Sequence, residues 1–205
     1  MPKRQGETSY KETAFGIIPR SKLIPLEIEG IKRAWDFVLQ QHSKGKISIT
    51  PTTLQKIHTI GFTWIFPKMG GKFRTINVTV SKHTPPKYYE VPALMKNFCD
   101  DLKERARHLP TIAEPNYLET LNELLAWAHH RFLWIHPFTD YNGRISRLLI
   151  NIILLNLDLP TIELQVETPS GRKRYVNALQ VADEYNLEPL KKLIGEAIEE
   201  AVREI

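Results

Sequence analysis

The segment that most constrains the fold is a helix-length stretch over residues 144–157, RISRLLINIILLNL. After its first turn, apolar side chains lie on nearly every side of the helix that this stretch would form. A helix of that kind has to be buried. It cannot span a bilayer, which takes about 20 apolar residues, because its apolar run over residues 148–155 is short and is interrupted by Asn151. The sequence therefore predicts a central helix with other elements packed around it.

The rest of the chain is also mainly helical in pattern. Apolar residues recur at steps of three and four between proline and glycine positions, which is typical of helices with one buried face. Helices are predicted over residues 26–41, 52–60, 92–107, 118–136, 172–185 and 188–203. The helix over 118–136 should end at or just before His136, because Pro137 disfavours the α conformation in the residue before it. We expect an N-terminal arm over residues 1–25 and one mainly α domain over residues 26–205.

Residues 73–91 have a different pattern. β-branched residues are abundant over 73–80, after Gly70 and Gly71, and the side chains at 73, 75, 77 and 79 alternate with those at 74, 76, 78 and 80. Residues 81–86 would turn the chain, and residues 87–91 could return as a second strand. The sequence thus predicts a small β-hairpin that leans on the helical body, because two strands alone are only marginally stable.

Composition excludes several classes of protein. The one cysteine, Cys99, leaves no internal disulfide and no multi-cysteine zinc site, which favours a reducing compartment. The start of the chain lacks the apolar run of a secretory signal, so we expect a cytoplasmic protein that does not enter a membrane. The net charge of +5 is scattered, with one compact basic run over 172–174. Nucleic-acid binding therefore ranks last among the candidate functions.

Polar residues cluster in the loop over 137–143, where one helix ends and the central helix begins. The first amides of a helix lack partners and carry the positive end of its dipole, so the turn at Asn142 and Gly143 should bind an anion. Arg144 and Arg147 lie on one face of the first turns, where the dipole disfavours a cation by roughly 0.3–1 kcal/mol. A polyphosphate large enough to reach both guanidinium groups would compensate for that cost.

Two more side chains complete this cluster. Asp140 could share a divalent cation with such phosphates, as carboxylates do in Mg²⁺ sites. His136 could take a proton from an attacking hydroxyl, because its unperturbed pKa lies near 6.5. Each residue also has a structural explanation on its own: Asp140 as a helix cap, His136 as an interior histidine, the arginines in ion pairs. The combination in one short segment favours a catalytic site.

The segment HPFTDYNGRISR, residues 136–147, resembles the signature of the Fic family, HxFx[D/E]GN[G/K]RxxR, at every position except Tyr141. Weaker similarities extend over roughly residues 27–198. The resemblance implies a Fic (Fido) helical bundle around the buried helix, with His136 as general base and Asp140 as the Mg²⁺ ligand. It implies that Asn142, Gly143, Arg144 and Arg147 surround the phosphates of ATP. Family members with lysine in place of Gly143 transfer phosphate, so glycine implies transfer of AMP.

The resemblance carries three further expectations. The hairpin over 73–91 would act as a flap that aligns a target segment by main-chain pairing. Tyr175 and Asn177 would approach the base or ribose of the nucleotide. Glu29 and Gly30 resemble the end of an inhibitory helix, [S/T]xxxE[G/N], here over 26–41, whose glutamate pairs with the second motif arginine. Pro25 stands where that motif has serine or threonine, and the alternative for Glu29 is an ordinary exposed charge.

These observations predict a protein adenylyltransferase that moves AMP from Mg-ATP to a Ser, Thr or Tyr hydroxyl of a target protein, with the chain itself a candidate target. Tyr141 replaces a glycine, and an aromatic residue there is costly if the backbone needs a positive φ. The alternatives are a Fic-like module that binds nucleotide or protein, or transfer of another phosphate-containing group. The sequence leaves the target and the oligomeric state open, a homodimer included.

Overall fold

The computed structural model describes residues 10–81 and 83–203, and it shows a mainly α protein with one small antiparallel hairpin. The predicted fold class, a helical bundle around a buried central helix, is confirmed. The elements are β1 (Tyr10–Thr13), β2 (Gly16–Pro19), α1 (Arg20–His42), α2 (Pro51–Phe62), a 3₁₀ turn (Tyr88–Glu90), α3 (Val91–Arg107), α4 (Tyr117–Ile135), α5 (Asn142–Asn156), α6 (Pro169–Asp183) and α7 (Glu188–Arg203).

Helix α5 lies at the centre, as its composition predicts. Leu149, Ile152 and Leu154 are inaccessible to solvent, and the helix packs against α4, α1 and α2. Burying a leucine or isoleucine side chain contributes about 1.5–3 kcal/mol. This helix therefore anchors the core, and its N-terminal end is fixed in space by the packing of its body.

Helix α1 begins earlier than predicted and crosses α2 closely. It starts at Arg20 and contains Pro25, so the expected arm over 1–25 is wrong for residues 10–25, which form the hairpin and the first turns of α1. Residues 1–9 lie outside the described part of the chain. The burial of Leu23 compensates for the hydrogen bond that Pro25 cannot make. A Cβ on Gly30 would lie 2.3 Å from the Gly61 carbonyl oxygen, so only glycine permits this approach.

The hairpin predicted over 73–91 is wrong as secondary structure. That segment forms only isolated bridges, Phe73 with Phe138 and Val80 with His83, and ends in the 3₁₀ turn and the start of α3. Main-chain carbonyls that a partner strand would have bonded instead accept hydrogen bonds from the Arg74 side chain. The observed hairpin is β1 with β2, in the register Tyr10↔Pro19 to Thr13↔Gly16.

None of the described helices combines the length and the apolar character that crossing a bilayer requires.

Candidate functional site

The motif loop, residues 136–141, connects α4 to α5 in a tight turn that is held by side-chain hydrogen bonds to the backbone. Helix α4 ends where His136 adopts a left-handed conformation, with φ of 51°. The Asn142 side chain then closes the loop: its Oδ1 accepts from the Phe138 amide at 2.9 Å, and its Nδ2 donates to the Phe138 carbonyl at 2.8 Å. The Asn142 side chain is thus committed to the loop, and only its backbone amide is available to a ligand.

Aromatic packing against α2 fixes the position of the motif loop. Phe138 is fully buried and stacks on the His58 ring, with centroids 4.0 Å apart. His58 Nδ1 accepts from the Gly71 amide at 2.8 Å, so the proton of a neutral ring lies on Nε2, 3.2 Å from the Asp140 carbonyl oxygen. Burial lowers the pKa of His58 to about 4, which keeps this ring neutral and its tautomer fixed.

Free donors face a cavity at the mouth of α5. The amides of Asn142 and Gly143, the first two of the helix, have no acceptor among residues 10–81 and 83–203. Within the same ranges, Arg147 forms no ion pair. The cavity has a volume of about 410 Å³ and is lined by Lys11, Arg20, Glu27, His136, Asp140, Tyr141, Asn142, Gly143, Arg144, Arg147, Val166, Glu167, Arg172, Tyr175 and Val176. The structure therefore brings most of the predicted site residues around one polar cavity.

His136 is held as a neutral imidazole at this cavity. Burial is the largest influence and lowers the pKa of His136 to about 4, with smaller contributions from the positive charge of Arg74 and from His83. A histidine of that pKa is unprotonated at neutral pH. It can therefore accept a proton from a hydroxyl that approaches through the cavity.

Asp140 already holds a cation. The Lys11 ammonium of β1 forms an ion pair with Asp140 Oδ2, while Oδ1 accepts from the Tyr141 amide at 2.8 Å. Sequence reasoning missed Lys11, because 129 residues separate it from Asp140. The described residues contain no cluster of three or more potential metal-ligating side chains. A divalent ion here would depend on Asp140 and on substrate oxygens, which is a common arrangement for Mg²⁺.

Tyr141 occupies the left-handed region, and its ring is packed into the core beside the cavity. Its φ is 65°, and its ring stacks on Phe62 with centroids 3.9 Å apart and planes within 7°. A left-handed backbone costs about 1–2 kcal/mol. Burying an aromatic side chain returns about 1.5–3 kcal/mol, and stacking adds about 0.5–1.5 kcal/mol. The substitution of glycine by tyrosine is therefore accommodated by the core between α1 and α2.

A buried glutamate of α1 is bonded to the motif. Glu27 is only 1% exposed. Its Oε1 accepts from the Tyr141 hydroxyl at 2.8 Å and from Arg20 Nη1 at 2.6 Å, and its Oε2 accepts from Arg144 Nη2 at 2.7 Å. The buried Nη1 of Arg144 has no partner among the described residues. Arg144 is thus held towards α1, next to the cavity.

The pairing expected of Glu29 with a motif arginine is wrong. The Glu29 carboxylate is 44% exposed and pairs with Arg33 Nε at 2.8 Å. The buried face of α1 contains Leu23, Glu27, Gly30, Ala34 and Val38. A glutamate at helical spacing within an otherwise small and apolar face was the signal that sequence reasoning overlooked.

The two residues predicted near the base or ribose have different surroundings. Tyr175 lines the cavity, but its hydroxyl is 2.7 Å from Nε2 of the buried His129. Asn177 is exposed on α6 and is not among the residues that line the cavity, so its predicted place at the nucleotide stays a prediction. Helical periodicity turns Tyr175 and Ala178 inwards and Asn177 outwards. Arg172, at the start of the same helix, lines the cavity and was missed.

Comparison with known proteins agrees with this geometry. The profile of the Fic/DOC family matches residues 48–154. A protein adenylyltransferase Fic from Culex quinquefasciatus is 31% identical over 191 residues, which are 93% of this chain and 36% of that protein. The chain thus spans about a third of the length of that relative.

Two solved structures superpose on the fold. Fic-1 from C. elegans has a TM-score of 0.71 at 27% identity, over 87% of this chain and 49% of that one. BepC from Bartonella tribocorum, solved with bound AMPPNP, has a TM-score of 0.70 at 18% identity, over 95% of this chain and 94% of that one. The motif, its position between α4 and α5 and the profile match over half of the chain together show that the protein belongs to the Fic/DOC family.

Proposed function

We propose that this chain is a protein adenylyltransferase that transfers AMP from Mg-ATP to a hydroxyl group of a target protein. The observation that carries the proposal is the group of donors at the mouth of α5: the amides of Asn142 and Gly143, which have no acceptor among the described residues, and the guanidinium of Arg147, which has no ion-pair partner among them. They lie beside the neutral imidazole of His136. Donors of this kind suit a triphosphate. The adenylyltransferase name of the Culex relative supports the choice of AMP as the transferred group.

The reaction follows from this arrangement. His136 takes the proton of the target hydroxyl, and the oxygen attacks the α-phosphorus of ATP. The new oxygen–phosphorus bond forms as the bond to the β-phosphate oxygen breaks, so AMP stays on the target and pyrophosphate leaves. Arg147, the helix amides and, once released, Arg144 stabilise the charge on the phosphates. The imidazolium is then free to lose its proton to solvent.

Asp140 is the proposed ligand of Mg²⁺. Its carboxylate side chain is 40% exposed at the cavity and already contacts a cation, the Lys11 ammonium, so a positive charge suits this position. When bound, Mg²⁺ would neutralise phosphate charge and orient the chain of phosphates. An ammonium and Mg²⁺ on one carboxylate repel each other, so the proposal requires Lys11 to leave Asp140 when the metal–nucleotide complex binds.

Glu27 is proposed to inhibit ATP binding from within the chain. Its carboxylate lines the same cavity and binds Arg144, which the phosphates would otherwise attract. Negative charge beside a triphosphate is also unfavourable in itself. We therefore assign to Glu27 the inhibitory role that the sequence suggested for Glu29.

The target segment is proposed to dock along the loop over 73–91, which meets the motif at the bridge between Phe73 and Phe138. Ile76 and Tyr89 are exposed there, with 57% and 68% of their surfaces accessible. Hydroxyl groups of the chain itself are candidate targets as well.

Incubation with ATP labelled on the α-phosphate or on the γ-phosphate tests the proposed reaction. We expect protein-bound label from the α-phosphate alone, and its loss in His136→Ala. Label from the γ-phosphate alone would show phosphate transfer instead and would refute the proposal. Glu27→Gln serves as the activated form in each arm.

A nucleotide-binding module without transfer is the second candidate. The ion pairs of Glu27 with Arg144 and of Lys11 with Asp140 favour it, because they hold the arginine and the carboxylate that transfer requires, while the amides of Asn142 and Gly143 can still bind phosphate. Calorimetry with Mg-ATP on wild type, Glu27→Gln and His136→Ala separates the two candidates. Binding in all three without His136-dependent labelling would support the module.

A further inference from the structure

Arg74 is a buried cation that binds main-chain carbonyls. It is 2% exposed and forms no ion pair within the described ranges. Its Nε donates to the His136 carbonyl at 2.8 Å and its Nη1 to the Ile76 carbonyl at 2.9 Å. Its Nη2 donates to the Pro86 carbonyl and, at 3.3 Å, to that of Ile135. One guanidinium therefore joins the end of α4 to both ends of the loop over 76–86.

Arg74 and His83 together contact every carbonyl at the end of α4. The Arg74 amide donates to the Pro137 carbonyl at 2.9 Å, and the His83 Nε2 lies 2.9 Å from the Trp134 carbonyl. Residues 134–137 thus offer four consecutive carbonyls, and each has a partner in Arg74 or His83. The last carbonyls of a helix otherwise lack donors and carry the negative end of its dipole, so a buried cation suits this place.

The contact to the His136 carbonyl holds a backbone conformation that is unfavourable by itself. The φ of 51° at His136 is one that side-chain-bearing residues rarely adopt, and it persists only where the surroundings fix it. That φ sets the direction of the imidazole relative to the cavity. Arg74 itself does not line the cavity that would receive the nucleotide.

We propose that Arg74 is a positioning residue that fixes the His136 imidazole and the loop over 76–86 as one unit. Docking of a target on that loop and the placement of the base are then coupled through one side chain. The proposal rests on the proposed function for its catalytic consequence, while the coupling itself is a property of the fold. Lysine cannot replace Arg74, because a single ammonium group cannot reach all the carbonyls that the planar guanidinium contacts on its different sides.

The test compares Arg74→Lys and Arg74→Met, with Arg107→Met as the control, since Arg107 is an exposed arginine paired with Glu104 on α3. For both Arg74 variants we expect kcat to fall on the order of 100-fold, as a misplacement of about 1 Å can cause. The KM for ATP and the calorimetric Kd of Mg-ATP should not change. Arg107→Met should behave as wild type.

Two readouts do not depend on activity. Amide hydrogen exchange over residues 76–86 should accelerate in both Arg74 variants and remain unchanged in the cores of α4 and α5. NMR titration of the His136 ring should give a higher pKa in Arg74→Met, because a positive charge and part of the burial are lost. In Arg74→Lys the charge is kept, so the pKa should stay near that of wild type while kcat still falls.

The results that would overturn the proposal are equally definite. Unchanged exchange over 76–86 in both variants would show that Arg74 does not hold the loop. Loss of nucleotide affinity in Arg74→Lys in proportion to kcat would show a general structural role. If the wild type transfers no AMP, the exchange and NMR arms still decide whether the coupling exists, so failure of the proposed function is recognised separately.

Discussion

Replacing Glu27 by glutamine should tighten nucleotide binding while destabilising the fold. Glutamine keeps the size of the side chain and can still accept from the Tyr141 hydroxyl, but it lacks the charge that holds Arg144 at 2.7 Å. A hydrogen bond to a charged group contributes about 1.5–3 kcal/mol. Because the Arg144 side chain is 26% exposed and partly hydrated, we use the lower part of that range.

The gain in affinity follows from that value. Arg144 has to leave Glu27 before it can reach a phosphate, so removing the contact should make binding more favourable by about 1.5–2 kcal/mol, a factor of about 12–30 in Kd. The free energy of unfolding should change in the opposite direction. Glu27 is 1% exposed, and loss of its buried, charge-assisted bonds should cost about 1–3 kcal/mol.

Calorimetry with Mg-ATP and urea denaturation measure the two quantities, and Glu29→Gln is the matched control. Glu29 lies two residues away on the same helix but is exposed and pairs with Arg33. We expect the control to change neither quantity. The reasoning fails if Glu27→Gln binds Mg-ATP no more tightly than wild type, or if Glu29→Gln gives the same gain.

Three further predictions concern charge at the same site. Lys11→Met should lower the Mg²⁺ concentration needed for half-maximal ATP binding, because the ammonium no longer competes for Asp140; an unchanged Mg²⁺ dependence in calorimetry would contradict this. The transfer rate of Glu27→Gln should be flat above about pH 5 and fall as pH drops through about 4, where His136 gains its proton; an acidic limb near 6.5 in the pH–rate profile would refute the assigned environment. Burial lowers the pKa of His58 to about 4 and that of His129 to about 3, so between pH 6.5 and 4 the unfolded state binds protons that the folded state excludes. The free energy of unfolding should therefore decrease as the pH is lowered through this range, by up to about 1.4 kcal/mol per pH unit for each histidine. Equal stability by urea denaturation at pH 7 and 5 would contradict it.

Local periodicity made the centre of this fold predictable. The helix α5 is apolar on nearly all sides, which predicts its burial, and Pro137 ends α4. The position of the motif loop at one end of the core therefore follows from local sequence patterns. The site residues within the motif were found for the same reason, because they are adjacent in sequence. These residues line one cavity in the structure.

The errors occur where distant segments meet. The alternating residues over 73–80 have the composition of a strand, but the Arg74 side chain takes the carbonyls that a partner strand would need. Helical phase, which differs by about 100° per residue, decides that Glu27 and not Glu29 reaches the motif. The contact of Lys11 with Asp140 depends on a hairpin whose position relative to α5 no local pattern reveals.

The most direct test of the central claim is a crystal structure of Glu27→Gln with Mg²⁺ and a non-hydrolysable ATP analogue. The account predicts phosphate oxygens within hydrogen-bond distance of the Asn142 and Gly143 amides and of Arg147, with the α-phosphorus facing His136 and Arg144 turned from α1 towards the phosphates. A nucleotide bound at another surface, or a cavity at the mouth of α5 that stays free of phosphate at saturating analogue, would contradict it.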